Sequence, residues 1–417
     1  MSPAPPAPTA GVVSFEEARR LVEQQAARLI PGEAETIDLL RSPGRILAEP
    51  ILADRDFPPF DRATRDGYAV RSVDMEQVPV RLDVIAEIKA GDWPATPIVV
   101  HPKQAVSIMT GASLPEGADA VVMVEQTAQA DPAGKIVEVH RSVRAGENFV
   151  PRAAEARSGQ SLLAPGRRLD HAGIALAASA GKSQVKVFRK PRVAVLSTGD
   201  EVIDIDATPG PAQIRNSNSY SVAAQILDAG GEAVRLPIAP DEPNRLRTLI
   251  EEGFRSELLL LTGGVSMGRY DLVERVLAEL NAEFYFTGAN IQPGKPVVFG
   301  VCGAPNKYFF GLPGNPVSTM VTFELFVRPM IEALAGMTPQ PLVFLRARLK
   351  SEIRTKTGLK RFLPAVLSGE FENAEVELAR WQGSGDIAAL ARANCYVVIP
   401  PDRDRIEPGE WMPVLVR

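Results

Sequence analysis

From Pro191 to about residue 334 the chain keeps a strand, loop, helix rhythm, and this constrains the fold more than any other feature of the sequence. Residues 192–197 read as a strand and 219–229 as a helix closed by Gly230 and Gly231. A strand over 233–238 follows, then a helix over 242–254 opened by Asp241 with Pro243 in its first turn. A strand over 257–261, a helix over 271–280 and a long helix over 317–334 complete the series. Such alternation builds a mainly parallel sheet with helices on both faces, whose ligands bind beyond the carboxyl ends of the strands.

Either side of this segment the texture changes. Residues 1–10 are Pro/Ala-rich and read as disordered. Ser14 and Glu17 then form a capping box ahead of apolar residues at helical spacing, with Pro31 and Gly32 as the stop. Between 55 and 148 short Val/Ile-rich runs (81–88, 97–100, 120–124, 135–140) alternate with Gly/Pro turns, which predicts a small β-rich domain. A helix follows over 170–180, and residues 340–417 read as a small β-barrel or sandwich.

A chain of 417 residues is too long for one ordinary core. Its 45% hydrophobic and 23% charged residues are those of a soluble globular protein. The net charge of −5, with no dense Lys/Arg block, disfavours nucleic acid and anionic membrane as partners, while leaving room for a small anionic ligand held by local charge. The two cysteines make no disulfide framework, and the three histidines show no zinc-binding spacing. There is no basic, apolar leader and no run near the roughly 18 apolar residues of a spanning helix, so a cytoplasmic location is expected.

The loops after the strands carry the chemistry. Ser197-Thr-Gly-Asp-Glu201 follows the first strand and Thr262-Gly-Gly-Val-Ser-Met-Gly-Arg-Tyr-Asp271 the third; Gln292-Pro-Gly-Lys-Pro296 and Gly311-Leu-Pro-Gly-Asn-Pro-Val-Ser318 come later. Glycines let the backbone approach a ligand, and N–H groups at helix starts bind oxyanions, so these loops predict a composite anion site. Asp271 is placed to cap its helix, and together with Asp200 and Glu201 it makes a candidate Mg²⁺ site. Lys295, between Pro293 and Pro296, suits a stiff anion clamp, although its loop lacks the P-loop spacing. The Gly/Asp-rich segments around Asp66 and Thr110 read by themselves as hairpin turns.

Taken in order, DGYAV at 66–70, TGASLPEGADAVVMVE at 110–125, STGDE at 197–201, IRNSN at 214–218, TGGVSMGRYD at 262–271, PGKP at 293–296 and GLPGNPVS at 311–318 resemble the molybdopterin molybdenumtransferases of the MoeA/gephyrin type. The resemblance covers about residues 14 to 400. It implies an elongated homodimer with a discontinuous helical linker domain (11–54 and 149–188), a β-rich inserted domain (55–148), a MogA-like α/β domain with a mostly parallel sheet (189–336) and a C-terminal β-barrel (337–417). It also implies Mg²⁺-dependent splitting of adenylyl-molybdopterin to AMP while molybdate joins the dithiolene sulfurs.

Residue by residue, Asp271, Asp200 and Glu201 resemble the carboxylates that manage Mg²⁺ and the cleaved phosphate. Lys295 and Ser318 resemble the molybdate-holding pair, with Pro313 and Pro316 shaping their loop. Gly263, Gly264, Ser266, Asn216, Ser217, Gly314, Asn315 and Ser384 fall in strings expected to face the substrate. Asp66 and Thr110 resemble catalytic residues supplied by the other subunit. The molybdopterin adenylyltransferase is a further candidate partner.

Some positions depart from the family pattern. Ala156 stands where an aspartate is usual, Gln292 where a second lysine is common and Arg269 where a glutamate is common. A usual arginine is missing from the turn Gly358-Leu-Lys-Arg-Phe362, leaving Lys360 or Arg361 to replace it as a molybdate ligand. Two alternatives stay open: a molybdopterin adenylyltransferase, which shares the GGVS-type loop, and a catalytically silent pterin-binding scaffold.

Overall fold

The computed structural model describes residues 11–264, 272–303, 306–338 and 340–416. The chain divides into two compact units. One takes the chain up to Ala48, returns for Gly166–Asp170 and runs from Gln184 onward; the other holds Glu49–Pro165 and His171–Ser183. Among the described residues no helix is long and apolar enough to cross a membrane.

The first unit is built on the expected sheet. Its strands are β1 (Arg192–Ser197), β2 (Glu232–Arg235), β3 (Leu258–Thr262), β4 (Ala282–Phe286), β5 (Val298–Cys302) and β6 (Lys307–Leu312), in the spatial order β2-β1-β3-β6-β5-β4. β2, β1, β3 and β6 run parallel, while β5 and β4 are added antiparallel at one edge. Alternate residues along each central strand serve opposite faces, because side chains point up and down in turn. Val193, Val195, Leu258 and Leu260 pack with α1 (Phe15–Ala26) and α2 (Ser217–Asp228). Ala194, Leu196, Leu259 and Leu261 pack with α3 (Pro243–Gly253) and α4 (Leu272–Glu279). Both faces are covered, which is why these strands are apolar throughout rather than alternating.

Half of the expected capping box forms: the Ser14 hydroxyl accepts the amide of Glu17 at 3.1 Å and caps α1, while the Glu17 carboxylate accepts from Arg20. Other boundaries shift. Asp241 does not cap α3: Glu242 occupies that position without a side-chain bond, and Asp241 faces Asp200 instead. The long helix expected over 317–334 is three pieces, α5 (Pro316–Thr322), a π turn (Phe323–Val327) and α6 (Arg328–Leu334). At the π turn the carbonyl of Leu325 accepts from the buried guanidinium of Arg19 in α1. Asp271 lies outside the described residues, and α4 begins at Leu272.

The C-terminal segment closes into a five-stranded barrel of β7 (Phe344–Leu349), β8 (Lys360–Ser368), β9 (Glu375–Leu378), β10 (Cys395–Ile399) and β11 (Trp411–Val416). The circuit runs β8-β9-β7-β11-β10 and returns to β8. Inward residues such as Leu363, Ala365, Val397 and Val414 fill the barrel, while Phe362, Tyr396 and Val398 pack against the α/β core. Phe362 and Phe15 stand 5.1 Å apart between ring centres. The two-residue strand Ile291–Gln292 adds to β8 in parallel, which carries the loop at 292–296 to the rim of the barrel.

The second unit is a six-stranded mixed sheet in the order Ala120–Met123, Gly67–Val70, Gln104–Ile108, Val80–Ile88, Ile136–Val139, Thr127–Gln129. Residues 97–100, expected to be a strand, make an isolated bridge between Val99 and Glu116 instead. Pro94, Pro97 and Pro102 remove the backbone donors that a ladder there needs.

Candidate active site

β1 lies between β2 on one side and β3 on the other, so the chain leaves neighbouring strand ends in opposite directions and a crevice opens between β1 and β3. Its floor is a chain of buried polar groups. The Ser197 hydroxyl donates to Asn216 Oδ1 at 3.0 Å and lies 2.9 Å from the Thr262 hydroxyl. The same Asn216 oxygen accepts the Ser219 amide at 3.1 Å and caps α2. Three strings separated in sequence, STGDE, IRNSN and TGG, therefore meet through one serine hydroxyl, that of Ser197.

The crevice continues into a cleft of about 790 Å³ lined by Thr198, Glu201, Ser217, Gly263, Gly264 and Gly314 among others. Thr198 Oγ1 and Asn218 Oδ1 are buried here without hydrogen-bond partners. Each costs about 1–3 kcal/mol in an empty site, a cost that a polar ligand recovers. Gly264 has φ 62°, and a Cβ added there would stand 2.8 Å from Thr198 Oγ1. A side chain at this position would cover the orphaned hydroxyl. The Asn218 amide fixes the opposite wall by donating to Gly314 O at 2.8 Å. Asn315 caps α5 without a side-chain bond, and Pro316 occupies the first turn.

Carboxylates collect at one side. Asp200 accepts the Asp241 amide at 3.0 Å. Burial first, then the charges of Asp200 and Glu201, push the Asp241 carboxyl above its ordinary value. Among the described residues no group of three His, Cys, Asp or Glu side chains is arranged to hold a metal ion. Asp271 and Ser266, both expected at this site, lie outside the described residues, as does Arg269.

A second cleft of about 640 Å³ shares Pro296, Pro313 and Asn315 with the first. Lys295, Ser318, Lys356, Arg361 and Ser384 line it, and among the described residues no Asp or Glu does. The loop of Ser384 is tied to the start of α5 by the Val317 amide, which donates to Ser384 O at 3.0 Å. Arg361 is 5% exposed. It donates from Nε to Gln292 Oε1 at 2.8 Å and from Nη1 to Leu359 O at 3.0 Å. Burial lowers its pKa, which favours the neutral form and is the opposite of what a carboxylate partner would do.

In the second unit Asp66 and Thr110 are partners: the Thr110 amide donates to Asp66 Oδ1 at 2.6 Å. That bond first, and the Thr110 hydroxyl second, hold the Asp66 carboxyl below its ordinary value. Of the expected residues of the first unit that are described, all but Asp200 thus line two adjoining clefts, Asp200 lies beside them bonded to the Asp241 amide, and Asp66 pairs with Thr110 in its own unit. Asp241, Thr198, Asn218 and Lys356 were not among the expected site residues. Asp241 had a signal, since it follows β2 and belongs to the same end of the sheet as the other strand-end loops.

Three family models match the chain in order: the MoeA N-terminal region (domain I and II) over residues 13–181, a probable molybdopterin binding domain over 194–333, and the MoeA C-terminal region (domain IV) over 346–416. A molybdopterin molybdenumtransferase of Nostoc sp. is 36% identical over 92% of this chain and 88% of its own length. The Bacillus subtilis protein of the same name is 35% identical over 92% and 90%. Among solved structures, a molybdopterin biosynthesis MoeA protein from Pyrococcus horikoshii OT3 superposes with a TM-score of 0.77 at 27% identity, covering 97% of this chain and 100% of that one.

Proposed function

The chain belongs to the MoeA family of molybdopterin molybdenumtransferases, and from that premise we infer that it inserts molybdenum into adenylyl-molybdopterin, releasing AMP. One observation carries the reading: two adjoining clefts share a wall, one with orphaned hydroxyl and amide oxygens and carboxylates alongside, the other lined by cations and hydroxyls and, among the described residues, by no acid. The first suits a polar heterocycle with its phosphates, the second a tetrahedral oxyanion.

In the first cleft Gly263, Gly264, Ser217, Asn216 and the loop from Pro313 to Pro316 orient the pterin and its phosphates, and Ser266, two residues on in sequence from Gly264, is assigned the same role. In the second, Lys295, Ser318 and Arg361 hold molybdate, and Ser384 closes the rim toward the dithiolene. Asp200, Glu201 and Asp271 would hold Mg²⁺. The mutual repulsion registered at Asp241 fits a cation at this place, and Mg²⁺ ordinarily takes one or two carboxylates together with substrate phosphates rather than a protein cage. When bound, the ion neutralises charge on the phosphate that leaves with AMP.

The reading includes a homodimer in which Asp66 and Thr110 of one copy serve the other's cleft, a cytoplasmic setting, and delivery of substrate by the adenylyltransferase of the same route. Purified protein given adenylyl-molybdopterin and Mg²⁺ should release AMP when molybdate is added. Adenylylation of molybdopterin by ATP without molybdate would indicate an adenylyltransferase instead. Tight binding with no release under any metal or oxyanion would indicate a silent pterin-binding scaffold.

A further inference from the structure

Among the described residues of the first unit two arginines are almost fully buried, and they differ in one respect. Arg19, 7% exposed, has Glu23 at 2.8 Å. Arg361, 5% exposed, has no carboxylate within ion-pair distance among the described residues. A buried charge without a counter-ion is costly unless something of opposite sign arrives. Of the five N–H donors on a guanidinium, two are engaged, one by Gln292 and one by the Leu359 carbonyl. The rest remain for a ligand in the cleft that Arg361 lines together with Lys295, Lys356, Ser318 and Ser384.

Gln292 is the side chain that holds this group. It sits on the two-residue strand paired with β8, where Gln292 and Arg361 are register partners. A carboxylate at 292 would pair with the guanidinium and cancel the charge the pocket needs. An ammonium would repel the guanidinium across hydrogen-bond distance. A neutral amide accepts one N–H and leaves the charge intact.

We propose that Gln292 is the positioning residue for Arg361: its neutral amide fixes the guanidinium in the cleft by accepting one N–H and leaves the charge whole for the anion. The inference deepens the transferase reading and rests on it. Lys356 lies exposed on the barrel side of the cleft, where it meets the anion from solvent. Arg361 is the fixed inner charge.

The test is calorimetric titration of molybdate into the full-length protein, alongside molybdate-dependent AMP release. Gln292→Glu should weaken molybdate binding by about tenfold or more, the scale of losing a charge-assisted contact. Its melting temperature should be unchanged or higher, because a new ion pair forms. Gln292→Ala should raise the KM for molybdate more than it lowers kcat. Arg361→Gln should weaken binding as Gln292→Glu does, and adding Gln292→Ala to Arg361→Gln should cost no further affinity, since the amide acts only through the guanidinium it holds. Wild-type affinity in Gln292→Glu, or a loss from Gln292→Ala that is as large in the Arg361→Gln background as in the wild type, would overturn the proposal while leaving the transferase reading intact. A wild-type protein that neither binds molybdate nor releases AMP with it fails the transferase reading itself, and the inference falls with it.

Discussion

Ser197 donates its hydroxyl to Asn216 Oδ1 across 3.0 Å, and so joins the end of a central strand to the cap of the helix whose N-terminus faces the cleft. The bond is buried at both ends, with Ser197 3% and Asn216 7% exposed. It holds the strand-end loop and the helix start in one geometry before any ligand arrives, which lowers the ordering cost of binding.

Asn216→Ala removes the cap of α2 and leaves the Ser197 hydroxyl with Thr262 alone. Loss of an N-cap costs about 0.5–2 kcal/mol. Urea unfolding should show the lower midpoint with an unchanged slope; an unmoved midpoint would mean that water replaces the amide at no cost.

Gly294 has φ 107°, and a Cβ there would lie 2.4 Å from Thr322 Cγ2. Gly294→Ala must move either α5 or the loop that carries Lys295. A strained non-glycine residue costs on the order of 1–3 kcal/mol. The KM for molybdate should rise together with the loss of stability, and a variant with both unchanged would show that the loop has slack.

Asp241→Asn keeps the backbone amide that donates to Asp200 but removes a third carboxylate from beside Asp200 and Glu201. If all three charges attract one cation, the Mg²⁺ concentration for half-maximal AMP release should rise by about fivefold, the scale of a partly screened charge contact. An unchanged Mg²⁺ curve would reduce Asp241 to a structural neighbour.

Asp66 titrates below its ordinary value because the folded state donates the Thr110 amide and hydroxyl to its ionised form. A depressed carboxyl pKa contributes stability that is present above the ordinary value of 3.8 and is lost as pH falls through the folded value. Carboxyl carbon shifts should place the titration below 3.8 in the wild type. In Thr110→Val the titration should move part of the way back, since the backbone donor stays. Identical titrations would assign the whole effect to that backbone amide.

Much of the architecture was legible in the sequence. The rhythm from Pro191 specified a parallel sheet, because only a crossover helix lets consecutive strands run the same way. The Ser14 cap and the glycine-rich strand ends were readable for equally local reasons. Residues 97–100 and Asp241 were misread for a shared reason. A short apolar run looks like a strand until its prolines are set against the ladder it must join, and an aspartate before a helix looks like a cap until a carboxylate from another strand end competes for it.

The sequence by itself determined the order of the elements, the apolar faces and the residue types available at each strand end, since these follow from periodicity and backbone preference within a few residues. Tertiary structure alone decided that the Ser197 hydroxyl would link three distant loops through Asn216 and Thr262. It also decided that a barrel strand would bring Arg361 to Gln292, and that this guanidinium would be buried without a carboxylate. Those facts depend on sheet order and register between segments tens of residues apart, and no local pattern encodes which charge will be left unmatched when they meet.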